Sequence, residues 1–341
     1  MSWYTEAGPD SDVIISSRVR LARNLETLPF PHRMSRDQAR EAASLISERF
    51  FDSDESLKKD YLVLELDEMS QEDQMALVEK RLISEELVVA KQYHKVMIRR
   101  DESVSIMINE EDHIRIQSMR PGLDLEAAYR AAETAAIRLE EQLPIAYSDT
   151  YGFLTACPTN TGTGMRSSVM AHLPALTMSG VMRQVAESLA KMGFVVRGLY
   201  GEHSKSRGNL YQISNQLTLG SSETELISDL KQMLQQIIEQ ERHNRRVLHE
   251  QSALLLENRV MRAYGILRHA RLMPSEEAFA LLSDLRLGIA LGIIDQVKTE
   301  DINRMQSAIG PASIQKAHGR LMTPEERDQA RAETIRSLLN Q

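Results

Sequence analysis

The chain lacks most of what would mark a secreted, membrane-spanning or metal-clustered protein. Its 341 residues contain a single cysteine, Cys157, so neither an internal disulfide nor a cysteine-built metal site can form. The start, MSWYTEAGPDSDV, has no basic segment followed by an apolar run and does not read as a signal peptide. No stretch approaches the roughly 20 apolar residues that cross a bilayer, and a cytoplasmic, membrane-free protein is expected. Positive charge is not in excess. The 41 Lys and Arg against 49 Asp and Glu give −8, which argues against direct nucleic-acid binding through a broadly basic surface. A site for a polyanion would need arginines gathered locally against that sign. There is no Gly/Ser linker, low-complexity tract or internal repeat, no Walker A segment, and no HRD or DFG set.

What remains is an ordinary globular composition, 42% hydrophobic and 26% charged, long enough for one large domain and a smaller one. Ser35 to Phe51 predicts a helix opened by a Ser35–Gln38 capping box, with Ala39, Ala42, Leu45, Ile46 and Phe50 on one stripe. Strand-like runs follow at 61–67, 95–100, 103–109 and 113–119. Val104, Ile106 and Ile108 alternate with Ser105, Met107 and Asn109, and the break at Asp101 and Glu102 predicts an antiparallel hairpin. A helix is expected over 123–142, then strands at 151–156, 167–173, 194–200 and 209–214, with a helix over 174–192 opened by Pro174. Beyond Gly220 almost everything is helix-forming. The expected class is therefore α+β: an antiparallel β-sheet flanked by helices over 1–240, and an all-helical C-terminal domain over 241–341, joined inside a long helix.

The chemistry lies in arginines placed on strands. Arg18 and Arg20 are two apart, so an extended chain points both to one face. Arg115 lies between Ile114 and Ile116, opposite that apolar pair. Arg166 follows the glycine-rich CPTNTGTGM, and Arg197 ends FVVR before a second glycine-containing loop. Guanidinium groups present a fixed fork of donors suited to phosphate oxygens and keep their charge. Taken singly, each is as well explained as a solvated outer-face arginine. Five on one face would hold a triphosphate.

Four segments, SSRVRLARN, NEEDHIRIQS, CPTNTGTGMRSSV and RGLYGEHSKSRG, occur in this order and resemble the phosphagen (ATP:guanidino) kinase family over about residues 13–225. The resemblance implies a phosphagen-kinase-like catalytic fold using ATP, with Mg²⁺ carried on the nucleotide. It matches Arg18, Arg20, Arg115, Arg166 and Arg197 to the family's nucleotide-phosphate arginines. Around them, Ser16, Ser17, Val19, Ser167, Ser168, Val169 and Met170 belong to the nucleotide-binding strands. Gly198, Leu199, Tyr200, Gly201 and Glu202 belong to a loop over 197–208 that closes on the nucleotide, with Gly198, Gly201 and Gly208 giving it freedom. Glu111 and Glu202 match the two carboxylates that grip the acceptor guanidinium, Glu111 being the better placed to take its proton. Cys157 matches the signature cysteine beside that group, a tuning residue and not a nucleophile toward phosphorus.

Departures bear on the acceptor. Members acting on small guanidines carry a helical domain ahead of the SRVR segment, and here SSRVR begins at Ser16, so an acceptor side open to protein arginine is expected. In EKRLIS, Arg81 stands where a base-contacting histidine is expected. Near the end, Thr323, Pro324 and Glu326 open a helix carrying Arg327, Asp328, Gln329, Ala330, Arg331 and Ala332. This RDxxRA run matches the one found in family members that phosphorylate protein arginines, where it is associated with an allosteric phosphoarginine site. The reading is a protein arginine kinase. The alternatives are a phosphoarginine-reading adaptor for a protease and a kinase for a free small guanidine. Implied partners are a Clp-type unfoldase and protease, a zinc-finger activator protein, a heat-shock repressor as one substrate, and further copies of the chain in a homo-oligomer.

Overall fold

The computed structural model describes residues 2–52, 54–89, 93–198 and 207–340. Its strands are β1 (Ile14–Arg23), β2 (Tyr61–Glu65), β3 (Lys95–Arg99), β4 (Val104–Ile108), β5 (Ile114–Pro121), β6 (Tyr147–Ser148), β7 (Gly152–Phe153), β8 (Met165–His172), β9 (Phe194–Gly198) and β10 (Leu210–Asn215). Eight of them form one sheet in the order β2-β3-β4-β5-β1-β8-β10-β9, each neighbour antiparallel. The helices are α1 (Arg36–Asp52), α2 (Leu57–Asp60), α3 (Gln71–Glu79), α4 (Glu86–Val89), α5 (Leu125–Glu140), α6 (Pro174–Met178), α7 (Met182–Lys191), α8 (Glu223–His269), α9 (Ser275–Ala290), α10 (Thr299–Ala308), α11 (Pro311–His318) and α12 (Pro324–Leu339).

Period-2 alternation decides which side of each strand is buried. On the back face Val19, Leu21, Ile106, Ile116, Val169 and Ile213 join α1, α5 and the first half of α8 in the main core. The buried positions of α5 are mostly alanine, Ala128, Ala132, Ala135 and Ala136, so this helix lies close against the strands. On the front face Val96, Ile98 and Met107 meet Leu66, Leu77, Leu82, Ile83 and Leu87 at one end, and Ile15, Met170 and Leu210 form a smaller apolar cluster.

Two expectations are corrected by turn chemistry. The run 151–156 pairs only at Gly152–Phe153, because Pro158 draws the following residues into a 3₁₀ turn over Pro158–Asn160. The helix expected over 174–192 is split into α6 and α7 at the Ser179-Gly180 pair, a turn dipeptide with Gly180 at φ +72°.

A second core of Val260, Leu267, Phe279, Leu282, Leu285, Ile302, Met305, Ala332 and Ile335 unites the second half of α8 with α9, α10 and α12. Between the cores α8 kinks at Ser252 (φ −145°, ψ 38°). Its first half stays tied to the sheet past position 241. Buried Glu241 accepts the Ala175 and Leu176 N–H groups that open α6, Arg242 bridges Asp10 and Asp12, and Arg245 donates to the His172 carbonyl. The helical part then returns to the front of the sheet. The Glu79 carboxylate at the end of α3 accepts from the Ala312 and Ser313 amides that open α11, and Lys316 pairs with Asp73 at 3.0 Å.

Candidate active site

Strand register gathers the arginines. Arg20 lies directly opposite Arg166, Arg18 opposite Ser168, and Ala22 opposite Arg115. Arg197 faces Gln212, which in turn faces Met170. Residues directly paired share a face, so Arg18, Arg20, Arg115, Arg166 and Arg197 all project from the front of the sheet. Arg81, which follows α3 in a left-handed conformation at φ +62°, joins them as a sixth guanidinium. Burial and then repulsion from Arg81, Arg166, Arg115 and Arg197 hold the Arg18 pKa down to about 9. Burial and the charges of Arg18, Arg115 and Arg166 push Arg20 well below its ordinary value. Like charges held together in a half-buried site call for an anion that relieves them.

Few protein groups offer that relief. Arg18 Nε donates to Ser168 Oγ at 3.2 Å and Arg166 Nη2 to Ser214 Oγ at 3.3 Å, both neutral acceptors. Arg115 is ion-paired at short range, to Glu110 Oε1 and Glu111 Oε2, each at 2.6 Å. These two carboxylates differ. Glu110 is almost fully buried and also accepts from Ser84 Oγ, whereas the Glu111 side chain is 42% exposed at the rim.

The turn that carries them is tightly specified. Asn109 adopts φ +62° and anchors it by donating to Ala39 O at 2.8 Å. Asp112, fully buried, accepts from Asn24 Nδ2 at 2.6 Å and from the Ala156 amide at 2.7 Å. It thereby fixes the cysteine loop to the carboxylate turn, and burial raises its pKa. His113 Nδ1 accepts the Leu25 amide, and burial lowers its pKa to about 4. In the loop itself Cys157 Sγ lies 3.0 Å from Thr159 Oγ1. Gly162 (φ +114°) passes so near Thr218 O that a Cβ would sit 2.5 Å away, which is why no side chain is tolerated at the first glycine of TGTG.

Not every expected residue reaches this face. Ser16, Ser168 and Met170 do, by register with Arg18 and its neighbours. Ser17, Val19, Ser167 and Val169 point to the back. Val19 and Val169 are core residues, and Ser17 Oγ bonds Gly122 O and the Asp124 amide at the start of α5. Strand alternation forbids consecutive residues from serving one face, so these four hold the strands in place. Leu199, Tyr200, Gly201 and Glu202 lie outside the described residues. Gly208 has a packing role in place of freedom: it sits at φ +57°, where a Cβ would lie 2.6 Å from Phe279 O on α9. Glu110, Asp112 and Gln117, whose Nε2 donates to Arg81 O at 2.6 Å, were missed by sequence reasoning, and Arg81 was read only against the base. The acidic run of NEEDH and the EKRLIS arginine were the available signals.

In the RDxxRA run, Arg331 is 1% exposed. It donates to Ile309 O at 2.8 Å, Met273 O at 2.7 Å and Asp328 Oδ1 at 2.6 Å. Ala330 and Ala332 are buried with it. A guanidinium spent on two buried carbonyls and a carboxylate braces the core, so Arg331 and Arg327, four apart on one helix, differ in exposure. Arg327, Asp328 and Gln329 are partly exposed.

A face of clustered arginines beside exposed and buried carboxylates and a cysteine loop is the architecture of a phosphotransferase acting on a guanidino nitrogen. Comparison with known proteins agrees. Residues 41–244 match the model of the ATP:guanido phosphotransferase C-terminal catalytic domain, and residues 253–341 that of the protein-arginine kinase McsB C-terminal domain. The chain is 44% identical over 339 residues to a protein-arginine kinase of Halothermothrix orenii, covering 99% of this chain and 96% of that one. It is 45% identical to the protein-arginine kinase of Brevibacillus brevis, with 99% and 95% covered. Among solved structures it resembles the substrate-free duplicated taurocyamine kinase of Schistosoma mansoni at TM-score 0.59 and 28% identity, covering 71% of this chain and 36% of that duplicated one. A lombricine kinase shares the fold at TM-score 0.60 and 24% identity, with 70% of each chain covered. The chain belongs to the ATP:guanido phosphotransferase family and, within it, to the protein-arginine kinases.

Proposed function

We propose that this chain transfers the γ-phosphoryl group of ATP to arginine side chains of proteins. The observation that carries the reading is the register placing Arg18, Arg20, Arg115, Arg166 and Arg197 on one sheet face, with the exposed Glu111 at its rim. The arginines take the phosphate oxygens and stabilise the charge that spreads over the transferring group. Bound Mg²⁺, held mainly by the nucleotide, neutralises phosphate charge. An incoming γ-phosphate competes for Arg115, and a carboxylate released from that 2.6 Å pair becomes free to bind a substrate guanidinium. The substrate N–H proton passes to Glu111, a nitrogen–phosphorus bond forms, and the bond from the γ-phosphorus to the β–γ bridging oxygen breaks, releasing ADP. Holding the nitrogen in line with phosphorus supplies much of the acceleration, since a delocalised guanidinium is a poor nucleophile. Cys157, on the loop that Asp112 fixes beside Glu111, helps orient the acceptor.

Protein arginine as acceptor is supported by full-length similarity to proteins named protein-arginine kinase. Handing products to a Clp-type protease, activation by a zinc-finger protein, a heat-shock repressor as substrate and self-assembly rest on the family resemblance. The test is Glu111→Gln. Nucleotide should still bind, measured by calorimetry, while transfer to protein falls at least a hundredfold. A wild-type rate in the variant removes Glu111 from the chemistry. Excess free arginine should inhibit weakly, and its efficient turnover would favour the small-guanidine reading.

A further inference from the structure

The front of the sheet holds a cavity of about 210 Å³ whose lining continues beyond the catalytic domain. Arg18 and Arg20 enter it from β1 and Arg81 from the segment after α3, while Ile83, Met107, Met170 and Leu210 give it apolar walls. On the remaining side stand Phe279 of α9 and Asn303, Gln306 and Ser307 of α10. Positions 303, 306 and 307 follow the i, i+3, i+4 spacing of one helix face. The other face of α10, with Ile302 and Met305, is spent in the C-terminal core. The polar stripe of α10 is thus turned to the arginine face by a domain outside the phosphotransferase match.

Two features fix this wall. The Glu79 carboxylate receives the α11 amides immediately after α10, so the residues flanking the cavity and the C-terminal helices move as a unit. Behind the stripe, Arg286 is buried and donates through Nη2 to Asn303 Oδ1. Its Nε and Nη1 are buried without a hydrogen-bond partner. Guanidinium offers only donors, so Asn303 must give it the oxygen, and its amide Nδ2 is left as a donor. Gln306 is half-buried, and its side chain makes no hydrogen bond among the described residues. A flat group with ring acceptors and an amino donor, flanked by methionine, leucine and phenylalanine, fits between these amides and the arginines. That is a purine base whose triphosphate lies on Arg18 and Arg20.

We propose that the C-terminal domain supplies the base-recognising wall of the nucleotide site, with Gln306 and Asn303 as the specificity-determining residues. This rests on the ATP-dependent reading above. The nucleotide then bridges the two domains: its phosphates bind the sheet and its base binds α10.

The test compares ATP with inorganic tripolyphosphate, which has the anion without the base, by calorimetry on the full chain. Wild-type protein should bind both, ATP more tightly. Gln306→Ala, and Gln306→Leu as a variant of retained bulk, should weaken ATP about three- to tenfold and leave tripolyphosphate and the melting temperature unchanged. ATP binding unaltered in both variants overturns the proposal, as does equal weakening of the two ligands, which would mean that Gln306 acts through the fold. Wild-type protein that binds neither ligand refutes the nucleotide reading itself, and this inference with it.

Discussion

Truncating Arg18 should stabilise the empty protein and cripple the enzyme. Holding its charged form in the fold, where burial and the neighbouring guanidinium groups lower the pKa to about 9, corresponds to about 5 kcal/mol of disfavour at neutral pH. Arg18→Ala removes that penalty. It also loses the Ser168 hydrogen bond, about 1 kcal/mol, and the packing of the side-chain stem, about 1–2 kcal/mol. The balance is a gain of about 2–3 kcal/mol in nucleotide-free stability. With nucleotide the order reverses. At ATP one hundred times its wild-type Kd, binding stabilises the native protein by about 2.7 kcal/mol. Losing a charge-assisted phosphate contact of about 2 kcal/mol weakens binding about thirtyfold, which leaves a ligand increment of about 1 kcal/mol. Thermal melts with and without Mg-ATP read both quantities. The variant should melt several degrees higher alone and gain little on adding nucleotide, with phosphoryl transfer down by about 10²–10³. A variant that melts lower than wild type without nucleotide would refute the argument that these arginines are held together at a cost.

Two further outcomes follow from buried groups. His113 has its pKa lowered to about 4 by burial, so the unfolded chain binds its proton first. The stability it contributes is complete above about pH 6.5, is lost as pH falls toward 4, and amounts to roughly 3 kcal/mol. A histidine NMR titration should find this ring neutral down to about pH 4, and protonation near 6.5 in the folded protein would contradict the burial argument. Arg331→Ala should cost about 3 kcal/mol by stranding the Ile309 and Met273 carbonyls and Asp328. Arg327→Ala, which loses one bond to Met322 O, should cost under about 1 kcal/mol by urea unfolding. Equal costs would return Arg331 to the surface.

Much of the catalytic half was legible in the chain because its signals are local. Val104, Ile106 and Ile108 alternate along one strand, and the spacing of Arg18 and Arg20 sets their common face whatever the sheet order. The order β5-β1-β8-β10, which converts strand arginines into a single anion site, depends on pairings between residues about 40 to 160 positions apart and has no local mark. Alternation was available but unused for Ser17, Val19, Ser167 and Val169, which alternate along their strands with Arg18, Arg20 and Arg166 and so fall on the opposite face. Nothing local in RDxxRA marks Arg331 as buried. Its burial is set by carbonyls of Met273 and Ile309, on other segments. The wall formed by α10 was hidden for the same reason: Asn303, Gln306 and Ser307 acquire meaning only once Glu79 docks the C-terminal helices on α3.

The central claim is tested most directly by identifying the modified atom. The full chain is incubated with Mg-ATP and an arginine-containing protein, and the product is examined by mass spectrometry that preserves acid-labile phosphate. The account predicts phosphate on arginine side chains, lost on mild acid treatment, and absent with Glu111→Gln. Phosphate confined to serine, threonine or tyrosine, or carried only by free arginine, would contradict it.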